Sequence, residues 1–186
     1  GASRRGAPVP TLPTGVSGAI EVLSFAPGSG MHGGLLAIGS HDRTIRVLQL
    51  VLEGSRLKVV PVCCCTGHTS TVTHLDWSAD SSMLMTNCAA HEILVWSASS
   101  GKKLAHAARA LATVAWATWT CYLGFPCMGI WPEGADATHI NSCHVSGDHS
   151  VLLTADDKGS LKLFNAPCVV EGAPYVEGSG HCSGIT

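Results

Sequence analysis

Ten histidines and nine cysteines are the side chains in this 186-residue sequence with the most chemistry to offer. A histidine beside an acid, with a hydroxyl or thiol in reach, makes a nucleophile and its base, while clustered His and Cys hold zinc. His41-Asp42 supplies a base and an orienting carboxylate, and serines are plentiful. No Gly-x-Ser-x-Gly, phosphate loop or His-Glu-x-x-His accompanies them. Hydrolysis thus has its residue types without a constellation, and the expectation is a protein that is not an enzyme and carries no cofactor. Zinc meets a similar objection. Cys63-Cys64-Cys65 would alternate faces on a strand, and no Cys-x-x-Cys occurs. His139 with Cys143, and His181 beside Cys182, come nearest to a ligand set. The expectation is no metal, the cysteines being small buried thiols in a reducing cytosol.

The elements that must position these residues read as short strands. Ile20, Val22 and Phe25 alternate; Leu35 to Ile38 and Ile45 to Leu48 follow, with Asp42-Arg43 in the turn between them. Leu57 to Val62 is β-rich but holds Pro61, which cannot donate to a ladder, so the run belongs on the outer edge of a sheet. A second unit opens at Gly67-His68, with strands near Thr71 to Trp77, Met83 to Cys88 and Glu92 to Trp96 and a turn at Asp80-Ser81-Ser82. A third has Ile140 to His144, Val151 to Ala155 and Ser160 to Phe164, with Asp156-Asp157-Lys158-Gly159 as its tight turn. Another Gly-His pair, Gly180-His181, stands near the end. A Gly-His opening, apolar stretches and a closing aromatic form the pattern of a WD-repeat propeller blade.

Aligned on their closing positions Leu48, Trp96 and Phe164, the units lie 48 and 68 residues apart. Blades of this kind repeat every ~40–45 residues, so the second interval is roughly 25 residues too long. The surplus covers Val114 to Cys121 and Leu123 to Trp131, whose aromatic and β-branched content predicts an extra pair of strands. Ala105 to Ala112 is the one stretch with a helical look. The expected architecture is all-β: a partial WD40-type propeller of about three blades plus the start of a fourth. An unstructured segment, 1–13, precedes it; the propeller spans 14–186, with units near 16–50, 57–97 and 103–164 and the next blade opening at 180.

Composition narrows the function. With 46% hydrophobic and 13% charged residues the chain is globular, and a net charge of −2 gives no footprint for nucleic acid or an anionic membrane. No run nears the ~18 apolar residues of a membrane span. The first 13 residues lack the apolar core of a secretory signal and an initiator Met, which fits a trimmed or internal piece.

One resemblance is more specific than a blade rhythm. It rests on Leu36-Ala37-Ile38-Gly39-Ser40-His41-Asp42, on Thr66-Gly67-His68 with Val72-Thr73-His74-Leu75-Asp76-Trp77-Ser78, and on Glu92-Ile93-Leu94-Val95-Trp96. It continues through Trp116-Ala117-Thr118-Trp119-Thr120-Cys121, Leu123-Gly124-Phe125, Gly129 to Asp136, Ile140-Asn141 and Asp156-Asp157-Lys158-Gly159 before Leu163-Phe164. These motifs, in this order, resemble the echinoderm microtubule-associated protein-like (EMAP-like) family, whose members carry tandem, atypical WD propellers.

The resemblance implies a microtubule-associated, tubulin-binding platform in the cytoplasm and on the cytoskeleton, axonemes and cilia included. A WD scaffold that binds peptides or signalling and ciliary proteins without a tubulin role is the alternative. The blade pattern also implies hydrogen-bonded locks, carried over to Asp42, His68, Trp96, Asp157 and His181. In the second unit Ala90 stands where the pattern has Asp, so that lock is expected to be incomplete. Trp116, Trp119, Trp131, Glu133, Asp136 and His139 are the candidates for partner contact, Trp being a frequent interface anchor. Propellers close with about 4–8 blades, so this chain is expected to need further blades or a partner to complete its ring.

Overall fold

The computed structural model describes residues 14–28, 33–105, 111–131, 140–179 and 183–184. Among the described residues, eleven strands form three antiparallel sheets, each a meander in chain order. The first holds β1 (Ile20–Phe25), β2 (Gly33–Ser40), β3 (Thr44–Glu53) and β4 (Arg56–Thr66). The second holds β5 (Val72–Trp77), β6 (Met83–Cys88) and β7 (Ile93–Ser97). The third holds β8 (Ile140–Val145), β9 (Val151–Asp156), β10 (Ser160–Asn165) and β11 (Tyr175–Ser179). This is the partial propeller architecture. The segments 1–13 and 132–139 and the Gly180-His181 opening lie outside the described residues.

The sheets extend beyond the sequence units. The β-rich run from Leu57 pairs with β3 as the edge strand of the first sheet, not with the second, and Pro61 sits opposite Leu48 where the register shifts. A two-residue turn joins them, with Gly54 in a left-handed conformation (φ 64°). β11, invisible to the periodicity, completes the third sheet by pairing with β10. The second sheet keeps three strands, extended by a single bridge from Trp96 to Lys103.

Turn chemistry repeats between blades. Ser78-Ala79-Asp80-Ser81-Ser82 and Ser146-Gly147-Asp148-His149-Ser150 fold alike: each Asp accepts from both flanking serines, and the first Ser accepts the amide of the next strand. Ser81 and His149 take matching positive φ values of 61° and 58°. The hairpins leading into β3, β7 and β10 share another turn, with Arg43, His91 and Gly159 left-handed and bonded three residues back. Only the third uses glycine there; Arg43 and His91 carry the steric cost of about 1–2 kcal/mol.

Two apolar layers join the sheets. Ile45, Val47 and Cys65 of the first sheet pack on Val72, Leu75, Trp77 and Trp96 of the second. Trp77 also donates its indole N–H to the Ser24 carbonyl at 3.0 Å, tying blade to blade. The second and third sheets do not meet alone. Between Met85 and Val95 on one side and Val145, Leu152 and Phe164 on the other lie Trp116, Trp119, Cys121, Cys127 and Ile130. This filling is the surplus segment, and it is not the expected strand pair. It makes one bridge, Ser78 to Trp116, then turns and a 3-10 helix, Phe125–Ile130. Pro126 at the start of that helix, and the wedging of the indoles between two sheets, replace a ladder with side-chain packing. Near the Ala105 to Ala112 stretch, residues 111–113 are helical, and 106–110 lie outside the described residues.

Candidate functional site

The second blade builds its lock from four side chains. His68, brought in by the left-handed Gly67 (φ 152°), is buried, and its Nε2 lies 2.7 Å from Thr86 Oγ1. Trp96 donates Nε1–H to the same hydroxyl at 2.8 Å. The fourth place is not empty. Glu92 sets Oε2 3.2 Å from His68 Nδ1 and accepts the Thr69 amide at 2.9 Å and the Cys88 thiol at 3.1 Å. The expectation of an incomplete lock at Ala90 is therefore corrected: the longer Glu side chain, two residues on, turns back to the amide and imidazole that an Asp would meet. A carboxylate can only accept, so Nδ1 carries the imidazole proton and the Thr86 hydroxyl donates to Nε2. Burial pushes the His68 pKa down, in keeping with a neutral ring. Donation from the Thr69 amide, then from Cys88 and His68, brings the Glu92 carboxyl down to about 2.

The other locks differ. Asp42 accepts the Ser17 amide at 3.0 Å and both the amide and hydroxyl of Thr44, at 3.0 and 2.6 Å. Burial works to raise its pKa, yet these donors bring it down to about 2. In the third blade the carboxylate that takes the turn amides, of Lys158 and Ser160, is Asp156; Asp157, expected in that place, is its exposed neighbour. Alternation explains this: Asp156 ends β9 pointing inward, which turns Asp157 outward. His181 lies outside the described residues.

Asp76 fixes the inserted segment. It is fully buried on β5 and accepts four hydrogen bonds: Thr118 Oγ1 at 2.7 Å, the Thr120 amide at 2.8 Å, Thr120 Oγ1 at 3.2 Å and the Cys121 amide at 2.9 Å. Trp116 and Trp119 meet edge to face with centroids 6.2 Å apart, each only 7% exposed. Both are core residues, which corrects their place among the candidates for partner contact. Trp131 is half-buried and stacks edge-on to Tyr122 at 6.0 Å. Glu133, Asp136 and His139 lie outside the described residues.

Tyr122 leads to a concavity of roughly 550 Å³ where the first strands of all three blades converge. Glu21 from β1, Thr73 and His74 from β5, and Asn141 from β8 line it with Tyr122. His74 packs edge-on to Tyr122 at 5.0 Å, and its Nε2 meets the Asn141 carbonyl at 3.1 Å, so Nε2 carries the proton. Burial lowers the His74 pKa. At the rim, Glu21 and His41 pair at 2.9 Å, so His41 binds Glu21 and not a nucleophile. Sequence reasoning missed Thr86, Glu92, Asp76 and Asp156. For Asp76 a signal existed: a carboxylate between Leu75 and Trp77 on a buried strand must find donors.

Among the described residues, no helix is long and apolar enough to cross a membrane. Residues 11–186 match the family described as the echinoderm microtubule-associated protein second beta-propeller. The chain is 44% identical over 167 residues to echinoderm microtubule-associated protein-like 2 of Rattus norvegicus, covering 90% of this chain and 25% of that protein. It is 40% identical over 167 residues to echinoderm microtubule-associated protein-like 1 of Mus musculus, covering 90% and 20%. Against echinoderm microtubule-associated protein-like 4 of Xenopus tropicalis it is 44% identical over 156 residues, covering 84% and 17%. The chain thus spans a quarter or less of the relatives it matches. With its three antiparallel sheets and a match across nearly its whole length, the chain belongs to the echinoderm microtubule-associated protein second beta-propeller family.

Proposed function

We propose that this chain is a non-catalytic propeller segment of a microtubule-associated protein and that it binds tubulin, acting as an interaction platform on the cytoskeleton, axonemes included. The observation that carries this reading is the family match over residues 11–186, supported by relatives whose names make them microtubule-associated proteins. The geometry favours binding over chemistry: His68 and His74 are both held neutral by burial and committed to hydrogen bonds within the fold. Asp42, His68 and Trp96 act as blade locks. Partner contact falls on the axial concavity and its neighbour Trp131, with Glu133, Asp136 and His139 following in sequence. Further blades close the ring. Leu23 and Phe25 on the first sheet, and the row Leu153, Leu163 and Val176 across the third, are exposed apolar side chains suited to mating sheets.

Cosedimentation of the purified chain with paclitaxel-stabilised microtubules tests the reading. Saturable binding is expected, weakened by Trp131→Ala. A chain that melts cooperatively yet stays in the supernatant at all tubulin concentrations would favour the scaffold without a tubulin role.

A further inference from the structure

The second blade's lock brings together three metal-ligating groups that no sequence spacing joins. His68 Nδ1, Cys88 Sγ and a Glu92 carboxylate oxygen all lie within 4.8 Å of one another. Glu92 Oε2 is 3.2 Å from the nitrogen and 3.1 Å from the sulfur. Tetrahedral zinc, with bonds of about 2.0–2.3 Å, holds N, O and S donors roughly 3.3–3.7 Å apart. The Glu92 oxygen therefore stands near ligand spacing from both partners before any metal arrives, and the nitrogen and sulfur lie within 4.8 Å of each other. We propose that His68 Nδ1, Cys88 Sγ and the Glu92 carboxylate form a binding site for a divalent cation of zinc type, with water as the fourth ligand.

Several features fit that chemistry. A mixed N, S, O set suits zinc better than calcium or magnesium, which take oxygen ligands. The far nitrogen of His68 is anchored by Thr86, itself held by Trp96, so the ring is oriented as a metal-bound imidazole requires. His68 and Cys88 are buried, whereas the Glu92 side chain is 30% exposed and leaves an entry path. The matching positions of the other blades hold Ser40 with Thr44 and Asp156 with Ser160, so neither offers a thiol beside a carboxylate.

The proton balance is definite. Without metal, Nδ1–H points at Glu92 and the Thr86 hydroxyl donates to Nε2. On binding, Nδ1 gives its lone pair to the metal and the ring proton moves to Nε2, which donates to Thr86 Oγ1. The Thr86 hydroxyl then turns to the Leu94 carbonyl, 3.5 Å away. Cys88 releases its thiol proton to solvent, so one cation exchanges for one proton.

Titration of the reduced full chain with cobalt(II) alone, as a spectroscopic substitute for zinc, tests the site. Expected are one cobalt per chain, a thiolate-to-cobalt charge-transfer band, and displacement by zinc. One proton released makes the apparent affinity rise about tenfold per pH unit while the thiol is protonated. Cys88→Ser removes the band, Glu92→Gln weakens binding at least tenfold, and Cys143→Ser leaves both unchanged. A band that survives Cys88→Ser, or its absence from a wild-type chain that melts cooperatively, would overturn the proposal. The ¹⁵N shifts of His68 give a readout free of any variant: retention of the Nδ1 proton in saturating zinc would equally sink it.

Discussion

Removing the Asp76 carboxylate is the sharpest perturbation the fold offers. Its four donors come from Thr118, Thr120 and Cys121, so one side chain holds the inserted segment to the second blade. In Asp76→Ala the two hydroxyls can turn to other acceptors, but the Thr120 and Cys121 amides cannot move without moving the backbone. A stranded buried donor costs about 1–3 kcal/mol, so two predict a loss of roughly 4 kcal/mol. For a chain of this size that lowers Tm by about 8–16 °C. Asp76→Asn behaves differently. Its amide oxygen, placed where Oδ2 lies, still accepts both backbone amides, and its NH₂ can donate to the Thr118 hydroxyl. The expected loss is about 1–2 kcal/mol. Urea unfolding followed by Trp fluorescence measures both, and hydrogen exchange at Thr120 and Cys121 should accelerate far more in Ala than in Asn. An alanine variant losing under about 1 kcal/mol, or an asparagine variant losing as much as alanine, would refute the latch.

Thr86→Val strands the Trp96 indole N–H and leaves His68 Nε2 without its donor, for a loss of about 2–4 kcal/mol in urea unfolding, while Thr86→Ser stays within about 1 kcal/mol. Gly124→Ala would set a Cβ 2.2 Å from the Trp119 ring, so overpacking of about 1–3 kcal/mol and a shifted Trp emission maximum are expected. Acid should weaken the fold in two stages, read as Tm against pH. His68 and His74 have folded pKa values below their usual 6.5, so the unfolded chain takes up protons that the folded chain refuses and stability falls as pH drops through 6.5. Asp42 and Glu92, both near 2 when folded, hold stability that is fully present above the unfolded carboxylate range and lost as pH falls from about 4.5 towards 2.

The strands were legible because their signals are local. Alternation gave β1, Pro61 marked β4 as an edge, and the Ser-x-Asp-x-Ser turns can be read letter by letter in two blades. β11 was not legible: Tyr175–Ser179 has Glu177 and Gly178 in its middle and is a strand only because β10 offers it a ladder. The inserted segment misled for the opposite reason. Its Trp, Thr and Val content has strand propensity, but two sheets enclose it, and burial among their side chains decides its shape. Of the candidate partner residues, Trp116 and Trp119 were read as equal to Trp131 because burial between blades is not encoded within a single strand. The lock at His68 and Trp96 was legible as a motif, while its carboxylate was not, since a fixed spacing looked at Ala90.

Comparison of the first two blades shows what the lock requires. Asp42 and Glu92 stand at different points of the same turn, differ by a methylene, and both end near a pKa of 2. Each accepts the amide two residues beyond the opening glycine, Ser17 after Gly15 and Thr69 after Gly67. What the two blades share is therefore that backbone N–H, which the fold aims into the turn and towards a carboxylate. The acid is whichever side chain reaches it. A lock is thus defined by geometry and not by a letter at a position: the second blade, with Ala90 at the turn, keeps a carboxylate on the equivalent amide. The same freedom explains how the second blade acquires a chemical character the first lacks. With the carboxylate supplied from Glu92, the end of β6 is free to carry Cys88, and thiol, imidazole and carboxylate meet at one point. A structural motif and a metal site can then occupy the same atoms, separated only by one proton lost from Cys88 and one moved across the His68 ring.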